Sequence, residues 1–107
     1  MAAEIAIGRV DAFREGSVVA AEAGDRKIAV INVEGRLHAI DDCCPHDECL
    51  FSEYGEVAGD KLVCTCHMSS FDLRTGKAIS GPAYGDATMH RLVIRDGEVF
   101  MDLPGDA

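Results

Sequence analysis

Apolar residues in this chain recur at every second position, and nowhere at helical spacing over the length of a long helix. Ile5 and Ile7 alternate before Val10. Leu92 and Ile94 lead to Asp96-Gly97, after which Val99, Met101 and Leu103 alternate again. An Asp-Gly pair between two alternating runs is a strong short-range signal for a tight hairpin. Ile28, Val30, Ile31 and Val33 form a β-branched run that ends at Glu34-Gly35 and resumes with Leu37 and Ile40, a second hairpin. Phe71-Asp72-Leu73 runs into Thr75-Gly76, again strand then turn. Only Ala12 to Glu15 suggests helix, and then a single short turn. The chain is therefore predicted to be all-β and antiparallel. Its 107 residues predict one domain.

The pattern breaks in the middle. From Asp41 to Asp60 the alternation stops, and Cys, His, Pro and acidic residues crowd together. Residues 1–42 and 73–107 read as one β-scaffold, and 43–72 as an insertion that carries the chemistry. Function on loops held by a rigid scaffold is a common arrangement.

Composition narrows the classes of function. Apolar residues make up 48% of the chain, too many for a disordered segment. The net charge of −9 repels phosphate backbones and anionic lipid, which disfavours nucleic acid and membrane surfaces and favours a basic protein partner. Met1 to Val10 shows no basic stretch followed by an apolar run, and no segment approaches the ~18 apolar residues of a membrane span. The expected location is the cytoplasm, where five clustered Cys suggest metal before disulfides.

Two short motifs meet that expectation: Cys44-Pro45-His46, and Cys64-Thr65-Cys66-His67, with seventeen residues between His46 and Cys64. Each supplies one thiolate and one imidazole. Structural zinc also takes two Cys and two His, but its motifs usually pair like with like. Mixed pairs suit a [2Fe-2S] cluster in which two thiolates bind one iron and two imidazoles the other. Two ferric ions, two sulfides and two thiolates sum to zero charge, so adding an electron is easier than in a four-thiolate cluster. The potential rises accordingly, to roughly −150 to +300 mV. His38 and His90 lie on the scaffold without ligand partners and are read as surface residues. Cys43 lacks the x-His spacing and is read as a small buried hydrophobe. No nucleophile–base pair and no substrate-pocket signature is visible, so the chain is not read as an enzyme.

The four-ligand pattern, together with Cys-His-Met-Ser-Ser-Phe-Asp-Leu-Arg-Thr-Gly-Lys at 66–77, resembles the Rieske-type [2Fe-2S] ferredoxins of bacterial ring-hydroxylating dioxygenase systems. The resemblance covers about the whole chain. It implies a Rieske fold of three stacked antiparallel sheets with an inserted cluster-binding subdomain. It implies one cluster per chain, held by Cys44, His46, Cys64 and His67 with the two His nearer solvent. It places a proline-containing covering loop at Ser80-Gly81-Pro82-Ala83. The chain would be a soluble, monomeric carrier that passes single electrons from a flavin-dependent reductase to a terminal aromatic-ring-hydroxylating oxygenase. The small Rieske-like subunit of an assimilatory nitrite reductase resembles this pattern too and is the alternative.

Cys49 and Cys66 depart from the dioxygenase ferredoxins. They match positions where the high-potential Rieske proteins of cytochrome bc complexes form a disulfide, so the resemblance implies a Cys49–Cys66 bond. Ser69 matches the Ser that hydrogen-bonds the cluster in that group, and Phe71 stands where they carry Tyr. The expected potential lies between the two groups. Asp41, Asp42, Asp47, Glu48, Glu53, Glu56 and Asp60, with no Lys or Arg among residues 41–60, are expected to form an acidic rim that steers the cluster toward a basic partner.

Overall fold

The computed structural model describes residues 3–43, 49–66, 68–80 and 87–103. Along them run β1 (Ala3–Arg9), β2 (Val18–Ala23), β3 (Arg26–Val33), β4 (Arg36–Asp41), β5 (Gly55–Ala58), β6 (Lys61–Cys64), β7 (Ser69–Asp72), β8 (Ala78–Ser80), β9 (Met89–His90), β10 (Leu92–Arg95) and β11 (Glu98–Leu103). A short 3-10 turn spans Val10–Ala12, just before the place the sequence suggested, and a four-residue helix, α1, spans Phe51–Tyr54. The strands form three antiparallel sheets, ordered β1-β11-β10, β2-β3-β4-β9 and β5-β6-β7-β8.

Both expected hairpins form for the expected reason. Glu34 and Gly35 have φ of 53° and 90°, and Asp96 and Gly97 have φ of 53° and 77°. Two successive left-handed residues give the turn whose twist matches its flanking strands. Asn32 fastens the first of these turns. Its Oδ1 accepts from the Gly35 N–H at 2.8 Å, while its Nδ2 donates to the Phe13 carbonyl at 2.7 Å.

The middle sheet is covered on both faces, and β3 shows it most clearly. Ile28 and Val30 pack with Phe13, Ala39, Val99 and Met101 against the β1-β11-β10 sheet, while Ala29, Ile31 and Val33 pack with Ile40, Phe51, Leu62 and Phe71 against the third sheet. A strand buried on both sides reads as a continuous apolar run instead of an alternating one. That is why residues 28–33 carry so few polar side chains.

The third sheet departs from the sequence-based boundaries. β8 pairs with β7, Ser70 opposite Ser80 and Phe71 opposite Ala78, so the sheet runs on to Ser80, beyond the insertion limit of residue 72. β5 lies inside the 41–60 stretch where no strand was expected, because Gly-Glu-Val-Ala pairs as an exposed half of a hairpin with β6. The chain returns to the scaffold past Gly76. At φ 82°, a Cβ there would lie 2.5 Å from the Ala87 carbonyl oxygen. Only glycine admits this approach, and the Ala87 N–H donates to the Gly76 carbonyl at 2.7 Å.

Candidate metal centre

Two connections meet at one end of the third sheet, one arriving from β4 of the middle sheet and one joining β6 to β7, and the two Cys-His motifs fall on them in the sequence. The second is the turn between β6 and β7. Cys64 and Ser69 are directly opposed across that strand pair, and four residues bridge them. Cys64 is buried at the end of β6 among Leu62, Phe51 and Phe71. The Thr65 N–H and hydroxyl both donate to the Tyr54 carbonyl at 2.8 Å, which holds the turn against α1. Met68 takes a left-handed φ of 59°, reversing the chain into β7. His67 lies outside the described residues.

The first connection leaves β4 and returns through α1. Cys44 and His46 lie outside the described residues, but both feet of the connection are described. Asp42 is buried, and its carboxylate accepts from the Ser52 N–H at 2.8 Å and the Ser52 hydroxyl at 2.6 Å. The outgoing foot is thereby tied to the incoming helix. On the return side, Cys49 and Cys66 are joined as a disulfide with a Cα–Cα distance of 6.5 Å. Both packed against the core, they link the two connections directly.

Ser69 is fully buried, and its hydroxyl has no hydrogen-bond partner among the described residues. A buried hydroxyl left unpaired costs about 1–3 kcal/mol. Ser69 stands opposite the buried thiol of Cys64, so a sulfur held there would give the hydroxyl its acceptor. Among the described residues, the orphaned hydroxyl beside a buried thiol fits an iron–sulfur cluster. Phe71, next on the same side of β7, meets Phe51 edge to face with ring centroids 5.4 Å apart and brings no hydroxyl.

Other sequence expectations change. Cys43 is exposed, not buried, because β4 has already ended and the residue lies on the foot of the connection. His90 is no surface residue. Its side chain is 5% exposed, and its Nε2 donates to Asp41 at 2.7 Å. His38 is half-buried beside an open polar cavity lined by Glu34, Arg36, Asp60 and Arg74, at the end of the sheets remote from the two connections. Burial, with the Arg36 charge adding to it, holds its imidazole below the ordinary histidine range. The acidic stretch also divides. Asp41 pairs with Arg26 and His90, and Asp42 with Ser52, so neither belongs to an open rim. Glu53, Glu56 and Asp60 are exposed, and Asp47 and Glu48 lie outside the described residues. The structural roles of Asp41 and Asp42 leave no local signal in the sequence, because their partners lie up to 49 residues away.

Comparison with known proteins gives the family. The family described as Rieske [2Fe-2S] domain matches residues 3–93. The chain is 41% identical over 78 residues to the 3-phenylpropionate/cinnamic acid dioxygenase ferredoxin subunit of Escherichia coli strain K12, covering 72% of this chain and 73% of that one. It is 33% identical over 93 residues to the biphenyl dioxygenase ferredoxin subunit of Pseudomonas sp. strain KKS102, covering 87% and 85%. Among solved structures, a ferredoxin from Sphingomonas yanoikuyae B1 superposes with a TM-score of 0.87 at 28% identity, over 95% of this chain and 100% of that one. A nitrite reductase small subunit from Mycobacterium tuberculosis superposes with a TM-score of 0.86 at 15% identity over 99% of both chains, which shows a shared fold alone.

Proposed function

The chain belongs to the Rieske [2Fe-2S] domain family, and on that premise we propose that it is the electron-carrying ferredoxin of an aromatic-ring dioxygenase system. The observation that carries the reading is the convergence of the two connections on one end of the third sheet, where a buried thiol faces a buried hydroxyl that has no partner among the described residues. The sequence similarity to dioxygenase ferredoxin subunits supplies the class of system.

In this reading the Cys44 and Cys64 thiolates would bind one iron and the His46 and His67 imidazoles the other. When bound, the cluster accepts and releases one electron. The chain's own part is to hold the ligands still and to set the potential. Cys64 is shielded from water by Leu62, Phe51 and Phe71, and burial of this kind tunes a cluster as much as its ligands do. The disulfide and the Asp42–Ser52 bonds keep the two connections from moving apart as the charge changes. The Ser69 hydroxyl would donate a hydrogen bond toward a cluster sulfur and so would favour the reduced form, in which that sulfur is more negative. His46 and His67 are the residues through which electrons would enter and leave.

The partners are a flavin-dependent reductase and a terminal oxygenase, met in the cytoplasm by a monomeric carrier. No helix among the described residues is long and apolar enough to cross a membrane. The alternative, a nitrite reductase small subunit, rests on fold alone and has no observation in its favour. The test is reconstitution. With a dioxygenase-type reductase and oxygenase, turnover of an aromatic substrate should depend on this protein and stop when His46 or His67 is changed to Ala. Support of a nitrite reductase large subunit, without support of any oxygenase, would assign the chain to the alternative.

A further inference from the structure

Asp41, the last residue of β4, gathers more bonds than the end of a strand requires. Its N–H donates to the Thr88 carbonyl at 3.0 Å, and its own carbonyl accepts from the Cys43 N–H at 2.8 Å. Its Oδ1 lies 2.7 Å from His90 Nε2 and 3.1 Å from Arg26 Nη1, with Oδ2 3.4 Å from the same nitrogen. The register explains the meeting. Ile28 is opposite Asp41 and Ala39 is opposite His90, so Arg26, Asp41 and His90 project from one face of the middle sheet, on three neighbouring strands. That face packs on the β1-β11-β10 sheet, away from the two ligand connections.

Sheet stability alone does not call for this arrangement. A partly buried carboxylate and a buried imidazole cost desolvation unless they are paired, and an apolar pair would hold the strands without that cost. What the pairing adds is position. β9 is only two residues long, and it is where the chain re-enters the scaffold after residues 81–86. Asp41 stands three residues before Cys44, and the next residue, Asp42, binds Ser52 in the opposite direction. Successive acidic side chains thus fix the foot of the first connection from both sides of the sheet.

We infer that Asp41, clamped by His90 and Arg26, is a positioning residue for the cluster: it sets the exit direction of the chain toward Cys44 and His46 and ties that exit to the re-entry strand β9. This rests on the ligand assignment above. Disturbing the clamp should therefore alter the cluster itself and not only the melting temperature. Groups that orient metal ligands change metal retention by about 10–100-fold when removed, and a clamp acting through the chain falls at the lower end.

The experiment compares purified, cluster-loaded variants by electron paramagnetic resonance of the reduced form and by the rate at which a chelator bleaches the visible spectrum. His90→Leu should move the g-values and raise the bleaching rate about tenfold. His90→Gln keeps an amide donor for Asp41 and should return both close to wild type. Val99→Ala, in the core shared with the β1-β11-β10 sheet, should lower the melting temperature and leave the g-values unchanged. His90→Leu with wild-type g-values and bleaching rate, whatever its melting temperature, overturns the proposal. If His90→Leu does not fold, Arg26→Gln breaks the half-exposed arm of the same clamp, and a wild-type spectrum and bleaching rate in that variant overturn it equally. Wild-type protein without any [2Fe-2S] signal would defeat the ligand assignment itself, a result seen before any variant is made.

Discussion

A hydroxyl sealed from water must find an acceptor, and Ser69 has none among the described residues. If a cluster sulfur is that acceptor, Ser69→Ala removes a bond worth about 1 kcal/mol to the reduced state and lowers the potential by roughly 40 mV. Protein film voltammetry checks this; an unchanged potential would mean that the hydroxyl points elsewhere. His38 makes a different kind of prediction. Its imidazole is held below the ordinary range by burial and by Arg36. As pH falls through the histidine range, the unfolded chain therefore takes up a proton that the folded chain resists, and stability drops. His38→Gln removes this contribution. In urea denaturation, wild type should lose ground to the variant as the solution is acidified, and a constant difference would contradict the assignment. At this scale the Cys-His motifs were legible because ligand spacing is local. His90 was not, since nothing near it in the chain announces a carboxylate on another strand.

At the scale of the element, two connections that must stay together are stapled. The Cys49–Cys66 disulfide closes a separation of 17 residues, for which chain entropy gives roughly 3 kcal/mol. Replacing both with Ser should lower the melting temperature by more than about 10 °C in a domain of this size and hasten cluster loss. Calorimetry with parallel absorption measurements reads both, and a variant as stable as wild type would show that the Asp42–Ser52 bonds suffice. The hairpins at Glu34-Gly35 and Asp96-Gly97 were visible in the sequence because their turns demand particular residues. β2 was not visible, because Val-Val-Ala-Ala-Glu-Ala lacks the bulky alternation of a strand and is held by its pairing with β3. The end of the third sheet leaves little trace in the sequence for a similar reason. β8 is three residues long, and only its ladder with β7 identifies it as part of the third sheet.

At the scale of the whole molecule, a middle sheet buried on both faces gives two cores, and the sheet that carries Cys64 and Ser69 sits on one side of it. The scaffold can thus hold one end of the third sheet rigid while leaving it open to partners. The net charge of −9, with Glu53 and Glu56 exposed on and beside α1, favours a basic partner surface at that end. Association with the oxygenase should slow as salt rises, because the Debye length falls from about 10 Å at 0.1 M to about 3 Å at 1 M. Stopped-flow rates that stay flat over this range would exclude electrostatic steering. All of this depends on the cluster being present and ligated as assigned. The most direct measurement is electron–nuclear double resonance on the reduced protein, with iron and acid-labile sulfide assayed on the same sample. Iron and sulfide should appear in equal amounts, about two of each per chain, with couplings from two histidine nitrogens, and cluster assembly should be lost in His46→Ala and in His67→Ala. Bound zinc without sulfide, or a cluster with no nitrogen coupling, would contradict this assignment.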